Sequence, residues 1–192
     1  MIQANLSHRQ QMIDILATAF AENKSVNYLL KDDCRKHARV RALMAYSFDV
    51  CYTFGELWLS ADRQACALLL LPERRKTSLK TLIWDLQLVM RSIGLAGVQR
   101  AQQRESRIKK HHPETAYAYL WFVATAPGQQ GQGVGTSLMK EILARYDSYQ
   151  LPLYLETSTL RNLPWYKKLG FEVYKELDFS FPLFMLRREP GL

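Results

Sequence analysis

Thr125-Ala126-Pro127-Gly128-Gln129-Gln130-Gly131-Gln132-Gly133-Val134-Gly135-Thr136 holds four of the chain's nine glycines within eight residues. Upstream, Tyr117 to Ala124 is aromatic and β-branched enough for a central strand. Downstream, Val134, Leu138 and Ile142 mark one apolar face of a helix. The stretch therefore reads as strand, glycine loop, helix. Glycine lets a backbone approach a ligand closely, and the unpaired N–H groups and dipole of a helix's first turn favour a phosphate.

Three phosphate-binding devices compete for this spacing. A P-loop needs Lys-Ser or Lys-Thr straight after its last glycine, whereas Thr136-Ser137 follows here and the nearest lysine is Lys140. A dinucleotide fingerprint places its third glycine one residue later, and the 36 residues after Glu156 are too few to complete its sheet. The third spacing, Gln/Arg-x-x-Gly-x-Gly, is met by Gln130, Gly133 and Gly135, with Pro127 three residues before Gln130.

A second block lies downstream: Leu155-Glu156-Thr157-Ser158, then Arg161-Asn162, then Trp165-Tyr166-Lys167-Lys168-Leu169-Gly170-Phe171. Together with the loop it resembles the GNAT superfamily of acetyl-CoA-dependent N-acetyltransferases, over about Tyr117 to Phe171. The resemblance implies an α/β (α+β) GNAT fold, with a mixed central sheet splayed at the fourth and fifth strands and helices on both faces. It also implies acetyl-CoA as co-substrate and no metal. By this resemblance Gln130, Gly131, Gln132, Gly133, Val134, Gly135 and Thr136 hold the pyrophosphate. Val123 and Thr125 meet the pantetheine arm through main-chain atoms, and Asn162 bonds the same arm or serves as a plain helix cap.

In that family a neutral amine attacks the thioester directly, so positioning and proton handling carry much of the catalysis. Tyr166 matches the tyrosine that serves the leaving sulfur. A free tyrosine has a pKa of about 10 and a thiol about 8.5, so full proton transfer is uphill by roughly 2 kcal/mol. Hydrogen bonding to the thiolate is the expected role. Glu156 is the candidate acceptor of the amine's proton, or else a partner of Arg161. The Val123 N–H is the candidate for the carbonyl oxygen. Tyr28, Tyr117 and Trp121 are candidates for the acceptor pocket or for the core. His111 and His112, although histidines titrate near neutral pH, read as solvated loop residues.

Outward from the loop, Met12, Ile15, Leu16, Ala19 and Phe20 predict a first helix, capped by Asn5 or Ser7. Val40, Leu43, Met44, Ser47, Phe48 and Cys51 predict a second, between Asp33 and about Tyr52, broken by Gly55. Glu56 to Ser60 and Gln64 to Leu71 read as a hairpin. Leu79, Leu82, Ile83, Leu86, Met90 and Ile93 show helical period, and Gly94 with Gly97 separates them from a basic helix ending near His112. This helical insert, Thr77 to His112, departs from the minimal family pattern. Further strands are predicted at Leu151 to Glu156, Phe171 to Tyr174 and Phe179 to Leu186, with a helix at Leu163 to Leu169 closed by Gly170.

At 192 residues and 22.3 kDa one domain is expected over residues 1–192. Hydrophobic residues at 48% and charged residues at 23% exclude disordered and collagen-like classes. The polar start and the short apolar run Ala65 to Leu71 argue against export or membrane spanning, and Cys34, Cys51 and Cys66 read as reduced thiols, so a cytoplasmic enzyme is expected. The net charge of +8 gathers at Arg74, Arg75 and Lys76 and at Arg100, Arg104, Arg107, Lys109 and Lys110, read as solvated helix faces; no recognition motif points to nucleic acid. The insert and the Leu-Glu-Thr-Ser block look similar to puromycin acetyltransferase-like members, which implies a small-molecule amine. A protein acceptor and a homodimer stay open. The alternative of another class is a GNAT-fold module that senses acyl-CoA without turnover.

Overall fold

The computed structural model describes residues 1–191. Strand β3 (Ala65–Leu70) sits at the centre of its logic, because every one of its residues is buried. Successive side chains alternate across a strand. Cys66, Leu68 and Leu70 accordingly enter one core, with Met12, Leu16, Met44 and Phe48, whereas Ala65, Ala67 and Leu69 enter a second, with Leu138, Met139 and Ile142. The first core is covered by α1 (Arg9–Phe20) and α3 (Lys36–Phe54), the second by α6 (Val134–Ser148) and α7 (Leu163–Lys168). The result is a sheet with helices on both faces, as the sequence predicts.

The sheet has seven strands in the order β1-β2-β3-β4-β5-β7-β6. These are β1 (Ile2–Gln3), β2 (Gly55–Leu59), β3, β4 (Ala118–Thr125), β5 (Leu153–Thr157), β6 (Glu172–Asp178) and β7 (Pro182–Arg188). All neighbours run antiparallel except β4 and β5. That parallel pair is joined only at Ala118 with Leu153 and Tyr119 with Tyr154. Beyond it β4 continues to Thr125 along β3, and β5 continues to Thr157 along β7. The sheet therefore opens as a wedge between them, which is the expected splay.

Two short elements escape the sequence reading: β1, with only two residues, and α2 (Lys24–Leu29), capped by Asn23, whose side chain accepts the Val26 N–H. Asn5 caps a 3-10 turn, Leu6–His8, that leads into α1. The insert forms α4 (Leu79–Leu88), with a capping box between Ser78 and Thr81, and α5 (Val98–Lys109) after a bend at Gly94. Leu79, Leu82, Ile83, Leu86 and Met90 are exposed, Leu79 by 82%, while Trp84 and Leu88 turn inward on the first core. Period shows that a helix has an apolar face, but only tertiary packing decides whether that face is covered. Ile108 of α5 packs on Leu177, Phe179, Phe181, Leu183 and Met185, which seats α5 over the β6–β7 hairpin. Among the described residues no single helix is long and apolar enough to cross a membrane.

Candidate active site

The glycine loop reaches α6 through Gly133, whose φ of 82° puts it in the left-handed region that a side chain resists. Gly135 comes so close to β4 that an added Cβ would lie 2.8 Å from Thr125 Oγ1. Among the described residues no N–H from Gln130 to Thr136 has a hydrogen-bond partner; the first bonded amide is Ser137, donating to the Gly133 carbonyl at 2.8 Å. A run of unbonded N–H donors at a helix start is what a polyanion needs. Gln132 steadies the row from outside, its Nε2 donating to the Gly128 carbonyl at 2.9 Å.

A register shift in the β3–β4 ladder falls at Leu68/Leu69 and leaves Trp121 as an extra residue on β4. Such a bulge re-aims the side chains beyond it. Ala118 and Leu120 accordingly enter the α6-side core but Phe122 and Ala124 the α1–α3 side, and Tyr119 and Trp121 face the opposite way from Val123. One cleft of about 1660 Å³ joins both sides of the wedge, lined by the loop, β4, the end of β5, α7 and the insert. Clefts for one small ligand run to about 1,000 Å³, so this one has room for two.

At the floor of the cleft lies a buried polar cluster. Glu156 at the end of β5 has a side chain 3% exposed, and His112 one 11% exposed. His112 Nε2 is 2.8 Å from Glu156 Oε1, Tyr117 Oη is 2.8 Å from His112 Nδ1, and the Tyr119 hydroxyl donates to Glu156 Oε2. A carboxylate only accepts, so the network assigns the proton of His112 to Nε2 and leaves Nδ1 to accept from Tyr117. Burial, then the charge of Glu156, pushes the Tyr117 hydroxyl up to about 12, and the same two causes in the same order push Tyr119 higher still.

Residues 88–173 match the family model of an acetyltransferase (GNAT) domain. Over that stretch, less than half of its length, the chain is similar to GNAT acetyltransferases. A 72-residue stretch is 31% identical to S-alkylcysteine N-acetyltransferase of Bacillus subtilis, over 34% of this chain and 40% of that protein. Another of 78 residues is 36% identical to an uncharacterized N-acetyltransferase of Schizosaccharomyces pombe, over 38% of this chain and 31% of that protein. The matches thus span well under half of these curated relatives. The fold as a whole is like that of histone acetyltransferase HPA2 and related acetyltransferase from Corynebacterium glutamicum, with a TM-score of 0.75, 21% identity, and coverage of 100% of this chain and 96% of that one.

Most sequence-predicted residues converge on the cleft: Val123, Thr125, Gln130, Gly131, Gly133, Val134, Gly135, Thr136, Glu156, Asn162 and Tyr166 all line it. Asn162 stands at the start of α7 but makes no capping bond, so the cap reading fails and its amide is left to the cleft. Trp165 does more than pack: its Nε1 donates to Thr136 Oγ1 at 2.9 Å and ties α7 to the loop. Tyr166 is buried between Trp165 and Phe171, and burial drives its hydroxyl well above the ordinary tyrosine value. Burial thus favours the neutral hydroxyl, which has a proton to donate.

Three expectations change. Glu156 does not pair with Arg161; both its oxygens go to His112 and Tyr119. His112 is not a solvated loop residue like the exposed His111, because the chain after α5 turns it under β4. Tyr28 does not join the cleft but packs against Phe179 and Phe181, whereas Tyr117 and Trp121 do line it. Tyr119 went unnoticed, although two-residue alternation with Tyr117 was its available signal. His112 had none, since its partner Glu156 is 44 residues away.

Proposed function

We propose that this chain transfers the acetyl group of acetyl-CoA to the primary amine of a small molecule in a ternary complex. The observation that carries the reading is the unpaired row of N–H groups from Gln130 to Thr136 facing the same cleft as the Glu156–His112–Tyr117 cluster. In this reading the row and the dipole of α6 hold the pyrophosphate, and the unpaired edge of β4 near Val123 and Thr125 receives the pantetheine arm and the carbonyl oxygen. Bound acetyl-CoA supplies the thioester. The B. subtilis relative, named for an amino-acid amine, supports a small-molecule acceptor.

An alkylamine arrives largely as ammonium at neutral pH, with a pKa of about 10, and must lose a proton before its nitrogen can attack. Tyr117 is placed to take that proton on its oxygen while passing its own to His112 Nδ1. The imidazolium so formed lies beside Glu156, whose carboxylate stabilises it and fixes the ring. The imidazolium returns this first proton to solvent through Tyr117; then, as the C–N bond forms and the C–S bond breaks, Tyr166 donates a hydrogen bond to the leaving thiolate and the emptied relay takes the second proton from the nitrogen. The test is release of free thiol from acetyl-CoA with S-methyl-L-cysteine, L-phenylalanine, 2-phenylethylamine and other primary amines, alongside calorimetric binding of CoA. Binding without thiol release across the panel would leave only a sensor; no CoA binding would remove the reading.

A further inference from the structure

The basic helix α5 carries five cations that the sequence reads as a solvated face, and one of them breaks that pattern. Arg100, Arg107, Lys109 and Lys110 are exposed, but Arg104 is half-buried and lines the cleft. Its Nη2 donates to Ser25 Oγ of α2 at 2.7 Å, and its Nε is buried with no partner. Among the described residues no carboxylate pairs with it. A guanidinium has five donors in a fixed fork suited to a carboxylate, and a cation held in a pocket wall with idle donors is unfavourable unless an anion completes it.

The position says which ligand that anion belongs to. Arg104 is braced between α2 and Phe179 of the β6–β7 turn, with the guanidinium 5.9 Å from that ring. The loop that faces the pyrophosphate approaches the wedge from the α6 side instead. Arg104 is also near enough to the polar cluster for its charge to oppose the upward shift of the Tyr119 hydroxyl, which itself bonds Glu156. The cleft lining is mixed: Phe20, Val26, Leu29, Leu88, Val89 and Ile93 give it apolar stretches, beside the polar Asn23, Ser25, Gln102 and Ser106 and the acidic Glu105.

We infer that Arg104 is the anion-recognition residue of the acceptor site, and that the acceptor is an α-amino acid with an apolar side chain. Its carboxylate lies on Arg104, its amine on Tyr117, and its side chain among the apolar residues. This rests on the acetyl-transfer reading above and names the substrate class for the same site.

The experiment uses matched pairs that differ only in the carboxylate: S-methyl-L-cysteine with 2-(methylthio)ethylamine, and L-phenylalanine with 2-phenylethylamine. Each is measured by thiol release from acetyl-CoA and by calorimetry on the CoA complex, in the wild type and in Arg104→Gln and Arg104→Lys. The wild type should prefer the carboxylated member. In Arg104→Gln that preference, a ratio of kcat/KM values, should collapse by roughly 10- to 100-fold, the range for a lost charged hydrogen bond, mostly through KM, with partial recovery in Arg104→Lys. A merely structural role lowers both members alike, and that result overturns the inference, as does a wild type that neither binds nor acetylates any carboxylated probe. The two readings fail separately. Acetylation of the plain amines with no carboxylate preference keeps acetyl transfer and removes Arg104. Carboxylate-dependent binding lost in Arg104→Gln, with no turnover of any amine, keeps Arg104 and removes acetyl transfer.

Discussion

Replacing His112 by alanine removes the ring that joins Tyr117 to Glu156, and the consequences separate by pH. Two hydrogen bonds of 2.8 Å are lost, and Glu156, 3% exposed, keeps only the donor from Tyr119. Leaving a buried polar group underserved costs about 1–3 kcal/mol, which for a chain of this size lowers Tm by roughly 2–12 °C. The variant should therefore be folded at 25 °C, as a thermal scan will show. Its catalytic loss should be the roughly 10²- to 10⁴-fold of a missing general base at pH 7.5, where only about one alkylamine in 300 is neutral.

That loss should then shrink as the pH climbs. At pH 9.5–10 a substantial fraction of 2-phenylethylamine arrives neutral and needs no base, so log kcat/KM of His112→Ala should rise with a slope near one while the wild type flattens. Tyr117→Phe, which interrupts the relay at its outer end, should show the same rescue. The assay is initial-rate thiol release across pH 6.5–10 at saturating acetyl-CoA. A variant within about threefold of wild type at pH 7.5 would refute the base assignment. So would an equal loss at every pH, since a ring that only shapes the floor of the cleft has no reason to matter less for a neutral amine.

Tyr166→Phe should lower kcat by roughly 10- to 100-fold, the worth of one hydrogen bond to a charged group, with the KM for acetyl-CoA little changed; an unaltered kcat would remove the donor role. Gly135→Ala forces a Cβ against Thr125 Oγ1, 2.8 Å away, and should weaken CoA binding by about tenfold in calorimetry. Adding Thr125→Ala should restore most of it, and a double variant no better than the single one would show that the clash is not the cause. Burial raises Cys51, Cys66, Tyr119 and Tyr166 above their ordinary values. Each then contributes stability that is intact below its unfolded value, about 8.5 or 10, and declines above it by about 1.4 kcal/mol per pH unit. The urea midpoint should hold to about pH 8 and fall steeply by pH 10.5; a flat midpoint over that span would contradict the buried placements.

The order of elements, the two helices and hairpin of the first half, and the whole loop–α6 unit were legible because each is a local pattern. Leu138 and Ile142 declare the buried face of α6 in their own spacing, and both are fully buried. The bulge at Trp121 was not legible, since nothing in Tyr117 to Thr125 distinguishes a regular strand from one that exchanges its faces halfway. Yet that single extra residue sends Tyr119 toward the acceptor side and Val123 toward the cofactor side. The helical period of α4 was legible as well, but not the exposure of Leu79, Leu82, Ile83, Leu86 and Met90, because a helix's own spacing does not say what covers its apolar face.

The asymmetry between the two halves of the site has a physical cause. In the proposed reading a pyrophosphate meets main-chain N–H groups, so its site is one contiguous run, Gln130 to Thr136, whose glycines show in the sequence. The proposed acceptor site is built from side chains brought in singly: Ser25 and Arg104 from two helices, His112 from the chain after α5, Tyr117 and Tyr119 at the start of β4, and Glu156 from β5. None needs a neighbour of fixed type. Two of the six, Arg104 and His112, lie in the insert, the part of the chain that departs from the minimal pattern. Changing the insert would thus alter which amine is accepted while leaving the loop untouched. That is why the phosphate cradle shows in the spacing and its family resemblance implies the co-substrate, whereas the proposal for the amine rests on an arginine without a carboxylate partner.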